Sequence, residues 1–383
     1  MKYLYDVSEL TPKAPKSIGI YRYALGLARE MSRQLLEDEQ LVLVCNGSNR
    51  ADFASVVSSD RTTLHCVRDA MPSHVWRQWW MLIGCALLIR RLGVDLYFSP
   101  KGFVPGALAW PRRVGRVAVI HDLIPFWYFQ HRPEYFSRLE TCLVGRAFRH
   151  TMRQADRIVA ISNATLSALL AEGVQTSRIS VVLNGVDTAS IATAQPTLPA
   201  GVSGRFIFAM ASSLPHKNLE GVLAGYAAYR ELAGEAALPL ALCGVSDVRQ
   251  EGVLGLGRVS DAELDGLYQR AELFLFLSWI EGFGYPPIEA LRVGTPVVCS
   301  ELPVLHEVCG DMAHYAPPGQ PAVVAKRMFE ALASEWTSEN RRVLAIAAAR
   351  RIDESLAWEA CASRVLNAIR EVCRLSHLHR DPV

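Results

Sequence analysis

Several things are missing from this chain, and each absence removes a class of function. There is no Cys-x-x-Cys pair among the nine cysteines, so neither a zinc knuckle nor a thioredoxin-like site is suggested. No Asp-x-Asp occurs, which removes the carboxylate pair on which a divalent-cation clamp commonly rests. No Gly-x-Gly-x-x-Gly follows a strand-like run, which argues against a nucleotide-binding oxidoreductase. Lys/Arg-rich clusters are absent and the net charge is only +2, so a nucleic-acid polyanion is not the expected partner. The longest apolar run, Trp79 to Ile89, has about half the length that a membrane span needs. Met1 to Val7 is broken by Asp6 and is not expected to act as a signal peptide. An odd number of scattered cysteines fits reduced thiols in the cytosol, serving as small buried hydrophobes.

What is present alternates. Leu41–Cys45, Val94–Phe98, Val117–Ile120, Arg157–Ile161 and Ile179–Leu183 are short apolar runs of strand type. Helical patterns such as Tyr21–Leu36 and Arg138–Gln154 separate them. After Asn184-Gly185-Val186-Asp187 comes a Thr/Ala/Pro/Gly-rich stretch without periodicity, as in a linker. A second alternating series follows: Phe206–Met210, Leu238–Leu242, Leu273–Leu277 and Pro296–Cys299. Strands alternating with helices predict parallel sheets covered on both faces, hence an α/β fold in two similar halves. The expected division is 1–190, a linker at 191–204, and 205–357. A last apolar helix, 358–375, is a candidate to complete the first half. Ligands of such sheets bind outside the carboxyl ends of the strands.

Four stretches at those ends carry chemistry. In Ser278-Trp-Ile-Glu281-Gly282-Phe283-Gly284-Tyr285-Pro-Pro-Ile-Glu289 the glycines let backbone approach a ligand, and the following helix N-terminus offers free N–H groups to a phosphate. Glu281 and Glu289 would be repelled by a pyrophosphate and are better suited to accept from ribose and sugar hydroxyls. Lys217, in Ala211-Ser-Ser-Leu-Pro-His216-Lys217-Asn218, sits between a strand and a helix; it is either a phosphate-binding point charge or a surface lysine. His121, in Val119-Ile-His121-Asp122-Leu-Ile-Pro125, can donate to a substrate hydroxyl or phosphate, or be tied to Asp122 or a backbone carbonyl. Gly19, in Ser17-Ile-Gly19-Ile-Tyr21-Arg22-Tyr23, could bring N–H groups to a phosphate.

In this order and spacing the four stretches resemble the retaining family-four glycosyltransferases of the GT-B fold, over nearly the whole chain. The most specific mark is Glu281-Gly-Phe-Gly to Glu289, continuing into Gly294-Thr-Pro-Val-Val298. Leu256–Asp261, Asn184–Asp187 and Glu307–Asp311 support it, and His121–Pro125 resembles a mannosyl- and rhamnosyltransferase branch of surface-polysaccharide (O-antigen) assembly. The resemblance implies two Rossmann-like domains with parallel sheets facing across a deep cleft. It implies that Lys217 holds the donor diphosphate, that Glu289 binds the ribose, and that Glu281 with the Gly282–Tyr285 backbone (Phe283 and Gly284 included) holds the transferred sugar. Gly19 would pack against the phosphates, His121 would contact the sugar near the reaction centre, and the loop around Val259 would meet the base. The catalytic set is then His121, Lys217 and Glu281. No metal and no cofactor are expected, only a nucleotide-sugar donor, favoured as GDP-mannose or a GDP-deoxyhexose with UDP-sugars as the alternative. The acceptor would be a glycan or lipid-linked oligosaccharide, met in the cytoplasm or at the inner face of the membrane. A non-catalytic nucleotide- or glycan-binding subunit is the competing reading.

Two departures from the family pattern stand out. The arginine that usually precedes the lysine is missing from Ala211-Ser-Ser213, so phosphate neutralisation is expected to be weaker or to come from Arg22. Tyr21 replaces a glycine and is expected to narrow the Gly19 loop. Outside these motifs, Trp127, Tyr128 and Arg132 are candidate acceptor contacts. The aromatic run 76–91, flanked by arginines, reads either as a core helix or as a membrane-surface helix.

Overall fold

The computed structural model describes every residue except 13–17, 69–72, 107–109, 112, 188–195, 334–336 and 379–383. Ser17 and residues 191–195 of the 191–204 stretch therefore lie outside the described residues. The chain divides into two compact units. One comprises Met1–Phe129, Pro133–Gly185 and Leu356–Val383; the other comprises Gln130–Arg132 and Val186–Ser355.

The first unit holds seven strands: β1 (Lys2–Asp6), β2 (Gln40–Asn46), β3 (Thr62–Arg68), β4 (Leu96–Ser99), β5 (Gly115–Ile120), β6 (Arg157–Ala160) and β7 (Ile179–Val181). Their order is β3-β2-β1-β4-β5-β6-β7 and every pairing is parallel. The second holds β8 (Ile207–Met210), β9 (Leu240–Cys243), β10 (Val253–Gly257), β11 (Leu273–Phe276), β12 (Val297–Ser300) and β13 (His314–Ala316). They are all parallel in the order β10-β9-β8-β11-β12-β13. Both orders are the Rossmann arrangement, in which the chain reverses direction across the sheet after its third strand. The inner strands are apolar without alternation because helices cover both of their faces.

Alternate residues of the first sheet feed two cores. Leu4, Val42, Val44, Ala118, Ile120 and Ile158 meet the helices that run through 80–92 and 138–154. The opposite face carries the helix Ile18–Arg33, onto whose Ala24 carbonyl Tyr5 donates at 2.8 Å, and the C-terminal helix Trp358–Leu378. That last helix is seated by two glycines. A Cβ at Gly26 would stand 2.6 Å from the Trp358 indole, and one at Gly185 2.1 Å from it. Arg370, three turns further on, donates to both oxygens of the fully buried Glu39 at 2.7 and 2.8 Å.

The run 76–91 is two α-helices, His74–Trp79 and Cys85–Leu92, joined by a π-turn at Trp80–Gly84. Its inner side is core: Trp80 is buried, stacks on Trp76 and donates its indole N–H to Asp6 at 2.8 Å. Asp6 also accepts from Tyr97 and from both the amide and the hydroxyl of Ser8. Burial raises the Asp6 carboxyl above its ordinary value, against the pull of those donors. No helix among the described residues is long and apolar enough to cross a membrane. All nine cysteines are free and seven of them are buried.

Candidate functional site

In the second unit β8 and β11 are neighbours, with Ile207 opposite Leu273 and Ala209 opposite Leu275. They are the two strands between which the sheet order reverses, so the loops leaving their carboxyl ends diverge and open a crevice. The loop after β8 carries Lys217, and the loop after β11 carries Glu281. The Lys217 Nζ lies 2.6 Å from Glu281 Oε1, with both side chains partly buried. The same Nζ stands 5.6 Å above the Phe276 ring.

Backbone lacing fixes this pair. The Trp279 amide donates to the His216 carbonyl at 2.8 Å. Asn218 does more. It is the one non-glycine residue with positive φ (53°) among the described residues, in the left-handed region that Asn tolerates best. Its Oδ1 caps the helix Leu219–Ala233 by accepting from Gly221 N at 3.1 Å. Its Nδ2 donates to Leu277 O at 2.9 Å and to Pro318 O at 3.1 Å. Gly221 is required there, because a Cβ would stand 2.3 Å from the Asn218 amide. An Asn just ahead of a helical pattern is a cap signal, and that signal marks Asn218 as a residue that orients Lys217.

Gly284 ends the Glu281 loop at φ 91°, and a Cβ there would meet Leu305 at 2.3 Å. The helix Tyr285–Arg292 starts at once, with prolines in its first turn. Those prolines have no N–H to offer, so the helix start gives fewer amide donors than its position suggests. Phe283 is buried and its ring meets Tyr285 at 4.8 Å. Glu289 accepts from Tyr268 Oη at 3.2 Å through Oε2. The Ser278 hydroxyl is buried beside this loop without a hydrogen-bond partner among the described residues. Val259 is half-buried and follows β10, just before a helix opened by a Ser260–Glu263 capping box.

In the first unit His121 follows β5. Its Nε2 lies 2.7 Å from Pro100 O, and its ring meets Tyr23 edge-on at 4.9 Å. A carbonyl only accepts, so the proton is on Nε2 and the neutral ring keeps its lone pair on Nδ1. The sequence allowed either a donor to substrate or a tie to a backbone carbonyl; the structure shows the tie, which leaves Nδ1 to accept from a hydroxyl. Asp122 does not hold the ring; its carboxylate accepts from Ile124 N at 3.0 Å and starts the next helix. Gly19 is exposed in the first turn of Ile18–Arg33, and a Cβ there would meet nothing within 4 Å. Tyr21 does not narrow that loop. Its ring turns inward against Phe53 at 5.9 Å, and its hydroxyl donates to Asp52 at 2.5 Å. Of the acceptor candidates, Tyr128 is withdrawn as a stacking surface, since it is buried and Tyr135 covers its ring face at 4.2 Å. Trp127 is half-buried and Arg132 is exposed.

Burial lowers both site histidines to about 4; the Lys217 charge adds to the effect at His216. A histidine of ordinary value 6.5 in the unfolded chain must then take up a proton on unfolding anywhere between about pH 4 and 6.5. The unfolded state binds more protons in that window, so stability rises with pH through it by about 1.4 kcal/mol per unit for each group. Urea midpoints across the window should show this slope and His216→Gln should flatten it; a slope unchanged in His216→Gln would place the neutral histidine elsewhere.

Most of the chain's length is similar to known glycosyltransferases. Residues 19–190 match the family described as Glycosyltransferase Family 4, and residues 203–351 match Glycosyl transferases group 1. The O-antigen chain mannosyltransferase B of Escherichia coli is 27% identical over 72% of this chain and 74% of that protein. The O-antigen chain mannosyltransferase RfbU of Salmonella typhimurium is 26% identical over 52% of this chain and 56% of its own length. Among solved structures, Anabaena Alr3699/HepE in complex with UDP-glucose superposes with a TM-score of 0.68 at 17% identity, covering 97% of this chain and 100% of that one. Sucrose-phosphate synthase from Thermosynechococcus elongatus gives 0.65 at 17% identity, covering 97% and 99%.

Proposed function

The chain belongs to the family-four glycosyltransferases of the GT-B fold, and from that premise we propose that it transfers mannose, with retention of configuration, from GDP-mannose to a growing lipid-linked glycan of surface-polysaccharide assembly. Mannose is the sugar named in the relatives from Escherichia coli and Salmonella typhimurium. The single observation that carries the reading is the Lys217–Glu281 pair at the reversal point of the second sheet.

In the resting site Glu281 neutralises Lys217. A donor diphosphate would take the lysine, and Glu281 would be released to accept from a hydroxyl of the transferred sugar. Glu289 would accept from the ribose hydroxyls, the Gly282–Tyr285 backbone would line the sugar, and the Val259 loop would meet the base. Gly19, exposed at the start of its helix, would pack its backbone against the phosphates. As the bond from the anomeric carbon to the diphosphate oxygen breaks, both electrons stay on that oxygen. Lys217 stabilises the charge that grows there. The departing phosphate then takes the proton of the acceptor hydroxyl, whose oxygen bonds the anomeric carbon from the same face. His121, with Nδ1 as acceptor, would hold a sugar hydroxyl during this step. With no Asp-x-Asp in the chain, the charge is assigned to Lys217 and no metal is required. The reaction is placed at the cytoplasmic side, where nucleotide sugars are available.

The test is thermal shift and donor turnover against GDP-, UDP- and dTDP-sugars in EDTA. GDP-mannose should stabilise the protein and be turned over without added metal. Stabilisation by a UDP-sugar alone would reassign the donor. Failure of every nucleotide at millimolar concentration would leave a binding subunit as the better reading.

A further inference from the structure

The outer side of the 74–92 segment is apolar where solvent would be expected. Val75, Trp79, Leu82, Ile83 and Leu87 are between 46 and 77% exposed, at spacings that put them on one side of the helix. The π-turn contributes to this. Trp80 goes inward to Asp6, while Trp79 stays outside and lies over Gly84, where a Cβ would be 2.4 Å from its ring. The helix Arg138–Gln154 covers the same face of the first sheet, since Phe148 and Met152 join the core cluster that holds Trp80 and Leu88. It exposes Leu139 and Leu143, 68 and 58% accessible.

Charge is concentrated on the same two segments. The 74–92 segment has Arg77, Arg90 and Arg91 and no acidic residue. The 138–154 helix has Arg138, Arg146, Arg149 and Arg153, all exposed, against Glu140 alone. That carboxylate is turned back onto Ser137 in a capping box. The whole chain carries only +2, so the remainder is net acidic. A second copy laid on this face would bring arginines against arginines. An apolar stripe with tryptophan, bordered by arginines, fits instead the boundary between acyl chains and anionic headgroups.

We propose that this face of the first unit docks on an anionic lipid surface, with Trp79, Leu82, Ile83 and Leu87 in the acyl boundary and Arg90 and Arg91 at the headgroups. The inference stands on exposure and charge and is independent of which sugar is transferred. It is tested by flotation with vesicles of phosphatidylcholine alone and of phosphatidylcholine mixed with phosphatidylglycerol, at low and high salt. The wild-type chain should float with the anionic vesicles and be released by salt. Leu82→Ser/Ile83→Ser/Leu87→Ser should weaken binding at least about tenfold. Arg90→Glu/Arg91→Glu should weaken it about twentyfold or more and erase the preference for phosphatidylglycerol. All five positions are exposed, so an unchanged thermal transition separates lost docking from lost fold. Absence of flotation, or equal flotation on the anionic vesicles by the wild type and the arginine variant, overturns the proposal. So does a wild-type dimer that the serine variant dissociates, which would assign the face to a second copy.

Discussion

Replacing Lys217 by alanine is expected to lower kcat for mannosyl transfer by about a hundred- to a thousandfold, the usual effect of deleting one preorganised donor to a developing oxyanion. The effect should fall on kcat more than on KM. The charge on the departing oxygen is larger in the transition state than in the bound donor, so the lysine contributes differentially. No arginine stands in Ala211–Ser213 to share the load, which puts this chain at the upper end of that range. Arginine should not restore activity. Nζ is held as a point charge 2.6 Å from Glu281 and above Phe276, and a planar guanidinium needs more room. Steady-state kinetics on Lys217→Ala and Lys217→Arg, with thermal shift by GDP as a check on the fold, decide the matter. A kcat within tenfold of wild type would remove Lys217 from the reaction.

How much of this was legible in the sequence depends on whether the signal was local. Val117–Ile120 of β5, Ile158–Ala160 of β6 and Leu273–Phe276 of β11 are unbroken apolar runs and could be read directly, because both faces are buried. β3 could not: Thr62–Arg68 is a sheet edge whose residues are mostly half-exposed, and its polar and apolar residues follow no clear period. β1 is central in its sheet, yet in Lys2–Asp6 only Tyr3, Leu4 and Tyr5 lie between two charged residues, too few apolar positions to declare a strand. For the site, each motif could be found but its partner could not. Lys217 alone reads better as a surface lysine, and it is the pairing of β8 with β11, separated in sequence by β9 and β10, that brings Glu281 to it. Tyr21 misled because a loop was imagined where the helix already runs, and helical phase turns its ring inward toward Phe53. Tyr128 misled because nothing local announces that Tyr135 will fold over it.

The C-terminal helix shows the same limit at its largest separation, and it yields the largest stability effect. Arg370→Ala is expected to cost about 3–5 kcal/mol, because it leaves Glu39 buried with a charge and no cation. In the wild type, burial pushes the Glu39 carboxyl up, but Arg370, the Leu36 amide and the Tyr3 hydroxyl outweigh it and hold it below its ordinary 4.5. A depressed value means stability that is present above 4.5 and lost as pH falls through the folded value. Without Arg370 the burial wins and the folded value rises above 4.5. The sign then reverses, and the variant should lose stability as pH rises from 4.5 through that folded value. Replacing both partners, Glu39→Leu with Arg370→Met, should recover much of the loss, since no charge is then buried. Urea unfolding of the wild type, the single and the double variant across pH reads both the energy and the sign. If Arg370→Ala costs under 1 kcal/mol, or if its stability still rises with pH, the helix is held by the Trp358 seat on Gly26 and Gly185 and the ion pair contributes little.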